Sequence, residues 1–297
     1  MTFPIGCTRT REGYALATRA VGHGPLDVVI PNGGYYVDDL SARWTSRAAQ
    51  AYDLRNRGAS ESLTTPAHLE RGVLNDVDDL ELVRQHLGLE RMALIGHSYV
   101  AEVVMLYAMA HPTRVSRAVL FGPSGYCVGH AGPPPPDALA VDVLGRLAEL
   151  MRTPATGDGV ERCRSAWGIL APLYVADPAL AHRVQPFGRC DLANERAFLG
   201  YWMRYVEPSL RRLAVIGAEI ARVDCPVLVV HGDRDRSAPA AAGRAWSERL
   251  PNARRLDVKN VAHAPWIEAP DLVLPALDVF LDGGWPATTE RDGAGAR

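Results

Sequence analysis

The run Arg91-Met92-Ala93-Leu94-Ile95-Gly96-His97-Ser98-Tyr99-Val100 constrains the fold of this chain more than any other. An apolar strand, Met92–Ile95, leads straight into Gly-His-Ser, and Tyr99–Ala110 reads as a helix that ends at His111-Pro112. A strand, a tight turn and a helix in succession put Ser98 on the turn, where its hydroxyl is lifted clear of the end of a sheet. The matching pattern G-x-S-x-G has glycine where this chain has Val100.

The surrounding pattern extends that unit in both directions. Cys7–Arg11 and Tyr14–Ala20 alternate around Glu12-Gly13 as a hairpin, and Leu26–Ile30 is a buried apolar strand. Val73, Leu74, Val77, Leu80, Val83 and Leu87 recur at helical spacing, and Arg117–Phe121 is a further strand. Alternating strands and helices predict a mostly parallel, doubly wound α/β sheet. The rhythm breaks after Gly122-Pro123-Ser124-Gly125, and Ala138–Ala221 is helical throughout. Strands return at Pro226–Gly232 and Ala253–Val258, and Ala269–Leu281 closes the domain as a helix. The expected organisation is a core of residues 1–124 and 221–285, a helical cap over 125–220, and a disordered tail over 286–297.

Bulk properties narrow the function classes. With 32 basic and 34 acidic side chains the net charge is −2, which gives no electrostatic footprint for nucleic acid or an anionic membrane. No stretch of about 18 apolar residues occurs, so no membrane span is expected. Met1–Cys7 lacks a basic region followed by an apolar run, so it does not read as a signal peptide. The five cysteines are odd in number and widely spaced, with no Cys-x-x-Cys pair. They read as reduced thiols of a cytoplasmic protein without a metal site.

A serine hydroxyl needs a base within hydrogen-bond reach, itself oriented by an acid. In a parallel sheet these groups come from loops at the carboxyl ends of strands. Val227–His231 is followed by Gly232-Asp233-Arg234-Asp235, and the strand Ala253–Val258 by Val261-Ala262-His263. Ser98 as nucleophile, Asp235 as acid and His263 as base follow, with Asp233 capping the local turn. His97 points off the elbow and is expected to pack or to make a supporting hydrogen bond. The oxygen that becomes negative needs N–H donors. Tyr99 N–H at the start of the helix is one candidate, and Gly34 N–H in Pro31-Asn32-Gly33-Gly34-Tyr35 is the other. This chemistry needs neither cofactor nor metal, and its partner is a small-molecule substrate.

These landmarks, together with Tyr52–Ser60 and Tyr107–Pro112, make the chain resemble the α/β-hydrolase superfamily, in its capped branch of prolyl aminopeptidases, esterases and C–C bond hydrolases. The resemblance spans both halves of the core. It implies a Ser-Asp-His triad and a cap that shapes the substrate pocket. Prolyl aminopeptidase relatives usually have His where Asn32 stands and Pro where Tyr35 stands. The arginine loop Gly-x-Gly is altered to Asn56-Arg57-Gly58, and Val100 and Ala101 replace small glycines after the elbow, where a Cβ branch is expected to crowd the strand–helix contact.

The cap is rich in large side chains, among them Trp167, Tyr174, Phe198, Tyr201 and Trp202. Tyr35, Trp167, Tyr201 and Trp202 are expected to line an apolar pocket. An aminopeptidase needs a carboxylate for the substrate ammonium; Glu195 is the pocket candidate, with Glu207 beside it, although solvated helix faces account for both. Glu102, on the helix after Ser98, is either a neighbour of the site or a core-edge charge. Hydrolysis of an ester or amide is the leading expectation. The alternatives are an acyltransferase, cyclase or C–C bond cleavage on the same fold, or a ligand-binding receptor.

Overall fold

The computed structural model describes residues 5–130, 134–154, 157–184, 189–213 and 217–290. Its strands are Ile5–Arg9 (β1), Ala15–Gly22 (β2), Leu26–Pro31 (β3), Ala48–Tyr52 (β4), Met92–His97 (β5), Val115–Phe121 (β6), Val227–Gly232 (β7) and Ala253–Val258 (β8). They form one sheet in the order β1-β2-β4-β3-β5-β6-β7-β8. β1 and β2 pair antiparallel, as do β2 and β4, and every other neighbour is parallel. The mostly parallel α/β sheet expected from the alternating pattern is what the chain forms.

Burial explains the strand sequences. Every residue of β5 and of β7 is buried, as continuous apolar strands covered on both faces require. Successive side chains point to opposite faces. Val29 therefore joins one core with helices Val73–His86, Tyr99–Ala110 and Ala240–Arg249, while Val28 and Ile30 join the other with Trp266, Leu277 and Phe280.

The strand order reverses beside β3. From there the chain steps out to β4 and then returns to β5 on the other side, with Val28 opposite Ala93 and Val29 opposite Leu94. The loops after β3 and β5 are thereby neighbours at the topological switch point, where open α/β sheets bind ligands. Between β6 and β7 the described residues carry only helical elements, chiefly Ala138–Arg152, Val160–Leu170, Ala193–Tyr201 and Glu207–Arg212.

Three expectations need correction. The strand Ala48–Tyr52 escaped the sequence pattern because Ala-Ala-Gln-Ala-Tyr is poor in β-branched residues; pairing on both sides overrides that weak propensity. The cysteines are not all reduced: Cys163 and Cys190 form a disulfide with Cα atoms 5.7 Å apart. An odd count of dispersed cysteines hides this pair, because only the packing of the cap brings together residues separated by 27 positions. Finally, order continues beyond 285, since Arg255 and Glu290 exchange two backbone hydrogen bonds of 2.8 Å at the edge of β8. Residues 291–297 of the expected tail lie outside the described residues.

Candidate active site

Ser98 sits between β5 and the helix Tyr99–Ala110 with φ 58° and ψ −128°, a conformation that costs a non-glycine residue about 1–3 kcal/mol. Neighbouring backbone holds it there. Its N–H donates to Phe121 O at 2.9 Å, and its carbonyl accepts from Ala101 N at 3.1 Å and Ser124 N at 3.3 Å. The narrow point of this elbow is Gly96, where a Cβ would stand 2.7 Å from the Ala101 Cα. Val100 does not crowd the turn: its side chain is buried in the core.

His263 and Asp235 come together at the ends of β8 and β7. His263 Nδ1 lies 2.7 Å from Asp235 Oδ2. The other carboxylate oxygen accepts from Ser237 N at 2.7 Å and Ala238 N at 2.9 Å. His231 Nε2 stands 3.3 Å from Oδ2. Burial by itself would raise the Asp235 carboxyl. The charge of His263 and the hydrogen bonds from His231 and His263 prevail and hold it well below the usual carboxylate range. The pair crosses over Gly122, at φ +47°, where a Cβ would come within 2.9 Å of His263 Nδ1 and 3.1 Å of Asp235 Oδ2. Asp233 turns away and, rather than capping its own turn, accepts from Asn260 N, 27 residues further on, at 2.7 Å.

The remaining nitrogen, His263 Nε2, is buried and has no hydrogen-bond partner among the described residues. His263 lines a cavity of about 240 Å³ together with Ser98 and Tyr99. Trp167, Leu170, Tyr174, Phe198, Leu199 and Trp202, from the helical segment between β6 and β7, supply apolar walls. Tyr174 packs edge-on against the His263 ring at 5.1 Å, and its carbonyl accepts from Ala264 N at 3.1 Å.

The structure distributes the remaining candidates unevenly. Of the pocket candidates, Tyr35, Trp167 and Trp202 line the cavity. Tyr201 does not, because adjacent helical positions point about 100° apart and Trp202 takes the cavity side. Tyr201 packs on the core beside Tyr205. Glu195 is also absent from the wall. It is buried in an ion pair with Arg57, at 3.1 Å to Nε and 3.3 Å to Nη2, and accepts from Gly58 N at 2.7 Å. Glu207 pairs with Arg211 on its own helix. Gly34 borders a different, shallow groove with Asp53 and Arg189, since the tight turn Gly33–Tyr35 swings the Tyr35 ring, rather than Gly34, into the cavity.

Sequence reasoning missed Arg57 and Ser237 as cavity residues and His231 as a partner of Asp235. The signal available for Arg57 was its place in an altered glycine loop. Glu102 is a brace: fully buried, it accepts from Ser124 Oγ at 2.5 Å and from Tyr126 N and Cys127 N at 2.8 Å. Those bonds pin the loop behind the elbow.

A sequence model of the alpha/beta hydrolase fold matches residues 50–270. The chain belongs to the α/β-hydrolase family. The chain is 26% identical over 263 residues to the human (lyso)-N-acylphosphatidylethanolamine lipase, covering 83% of this chain and 74% of that one. It is 29% identical over 217 residues to a monoacylglycerol lipase of Mycolicibacterium smegmatis, covering 71% and 69%. Among solved structures, 2-hydroxy-6-oxo-6-phenylhexa-2,4-dienoate hydrolase of Rhodococcus superposes with a TM-score of 0.73 at 20% identity, over 95% of this chain and all of that one, a likeness of fold. Among the described residues no helix is long and apolar enough to cross a membrane, and no cluster of metal-ligating side chains occurs.

Proposed function

We propose that this enzyme cleaves an ester bond of a small, largely apolar substrate through an acyl-enzyme on Ser98. The observation that carries the reading is the setting of His263: Asp235 holds Nδ1, Nε2 has no hydrogen-bond partner among the described residues, and the residue lines the same cavity as Ser98. Ser98 Oγ attacks the carbonyl carbon and its proton passes to His263 Nε2. Asp235 fixes the tautomer and stabilises the imidazolium. The carbonyl oxygen takes the electron pair and is held by Tyr99 N–H, at the positive end of its helix, and by an N–H of the turn after β3, whose Asn32 and Tyr35 line the cavity. On collapse the ester C–O bond breaks and the leaving alkoxide takes the proton from His263. Water, deprotonated by the same nitrogen, then releases the acid and restores Ser98.

Two observations favour esters over amino-acid amides. Glu195, the carboxylate an aminopeptidase would turn on a substrate ammonium, is taken by Arg57 and Gly58. Both curated relatives described above are named as lipases. A fluorophosphonate probe tests the nucleophile: it should label the native enzyme and not the Ser98→Ala variant. A folded native enzyme that resists the probe and leaves a panel of aryl esters intact would sink the proposal.

A further inference from the structure

One wall of the Ser98 cavity is polar in a way that acyl transfer does not use. Arg57 is 4% exposed yet lines the cavity. Its guanidinium lies over the Phe198 ring, 3.6 Å from the centroid. Glu195 takes its Nε and Nη2, and the Tyr99 hydroxyl takes a further side-chain hydrogen bond, so a rigid fork is fixed in place on the cavity wall with the rest of its five N–H donors left to other partners. On the same cavity Asn32, 3% exposed and in the left-handed conformation, does not use its carboxamide to cap the turn that follows. Asn32 stands where the resembled family usually carries His, and neither residue is needed to move a proton at Ser98 or His263.

Charge decides what such a wall recognises. Arg57 and Glu195 neutralise each other, and the surrounding walls are Trp167, Leu170, Phe198, Leu199 and Trp202. A carboxylate entering this space would carry an uncompensated charge into an apolar setting, at a cost of several kcal/mol. An uncharged oxygen acceptor would instead gain hydrogen bonds from a charged donor without burying net charge. We propose that Arg57 and Asn32 form a recognition subsite for a ketone, amide or lactone carbonyl that the substrate carries in addition to its scissile ester. This deepens the esterase reading and rests on it.

The test uses three 4-nitrophenyl esters of equal chain length: a simple alkanoyl ester, its keto analogue and its terminal carboxylate analogue. Rates are expressed per fluorophosphonate-reactive Ser98. The native enzyme should prefer the keto ester over the simple ester by about tenfold in kcat/KM, mainly through KM. In Arg57→Lys, and in the double variant Arg57→Met with Glu195→Gln, that ratio should fall to within about twofold. The ratio is read within each variant, so a merely structural loss that slows both esters equally overturns the proposal. A native ratio near one, or a preference for the carboxylate, also overturns it. Binding gives a second readout: the simple ketone should quench the tryptophan fluorescence of Ser98→Ala, with a Kd about tenfold weaker once Arg57→Lys is added. An unlabelled Ser98 accompanied by Arg57-dependent ketone binding would reject the esterase reading and retain the subsite. Ketone binding that ignores Arg57 would reject the subsite alone.

Discussion

His97 Nε2 stands 3.0 Å from the backbone oxygen of His263, and the two rings lie 4.4 Å apart. A carbonyl only accepts, so Nε2 carries the proton and donates it. Nδ1 is then the acceptor, 3.2 Å from the Tyr35 hydroxyl. Burial pushes the Tyr35 phenol well above its ordinary range and keeps it a donor. The residue beside Ser98 thus ties the loop of the proposed base to the turn after β3, and it does so only as a neutral ring.

Burial, reinforced by the charge of His263, lowers His97 well below its ordinary value of 6.5. The unfolded chain therefore binds a proton near pH 6.5 that the folded chain refuses. Stability from this group is complete above that pH and is lost as pH falls below it, by up to about 1.4 kcal/mol per unit. Urea unfolding between pH 5 and 8 should show His97→Gln with a shallower acid slope by about that amount, whatever its absolute stability. Parallel slopes would show that His97 is not held neutral.

Asp235 and Asp233 are two residues apart and have separate tasks. Asp235→Asn removes the acceptor that fixes His263 Nδ1 and should lower kcat by about 10⁴-fold while Ser98 stays in place. Asp233→Asn keeps an oxygen for Asn260 N and should leave kcat within about threefold. Equal losses in the two variants would contradict this assignment of acid and turn residue.

The contrast shows what the sequence made legible. Ser98 and Asp235 follow strands whose apolar runs are continuous, and His263 follows the short strand Ala253–Val258, so the alternation of strands and helices places all three at one end of a parallel sheet. The strand Ala48–Tyr52 has no such run and exists because β2 and β3 flank it. Cap residues were harder still. Helical spacing separates buried from exposed faces, yet it does not tell a face turned to a cavity from one turned to the core. Trp202 and Tyr201 are equally aromatic neighbours with different surroundings. Glu195 looked like a surface charge because its partner, Arg57, lies 138 residues away.

The helical segment between β6 and β7 carries its own covalent tie. Cys163–Cys190 closes a loop of 27 residues' separation, and Cys163 Sγ stands 3.8 Å from the carbonyl of Glu195. By loop-closure entropy its removal should lower stability by about 3–4 kcal/mol. Cys163→Ala with Cys190→Ala should show a lower urea midpoint than the oxidised native enzyme, and dithiothreitol should lower the native midpoint while leaving the variant unmoved. A native midpoint indifferent to reductant would exclude the bond.

Val100 offers the sharpest test of the elbow. The pattern G-x-S-x-G suggests that glycine at this position would relieve the turn. The structure argues the reverse. Val100 is 1% exposed and belongs to the same buried core as Val103, Val104 and Leu120, while at Gly96 a Cβ would stand 2.7 Å from the Ala101 Cα. Val100→Gly would empty a buried side chain and place glycine in the first turn of a helix, a combined loss of about 2–4 kcal/mol. It should lower the urea midpoint and leave the rate of fluorophosphonate labelling at Ser98 within about threefold. Gly96→Ala should act oppositely on reactivity. Its methyl would meet Ala101 Cα at 2.7 Å and the Val100 carbonyl at 2.8 Å, so the helix must shift and labelling should slow by more than tenfold. A faster, more stable Val100→Gly enzyme would return the strain to position 100.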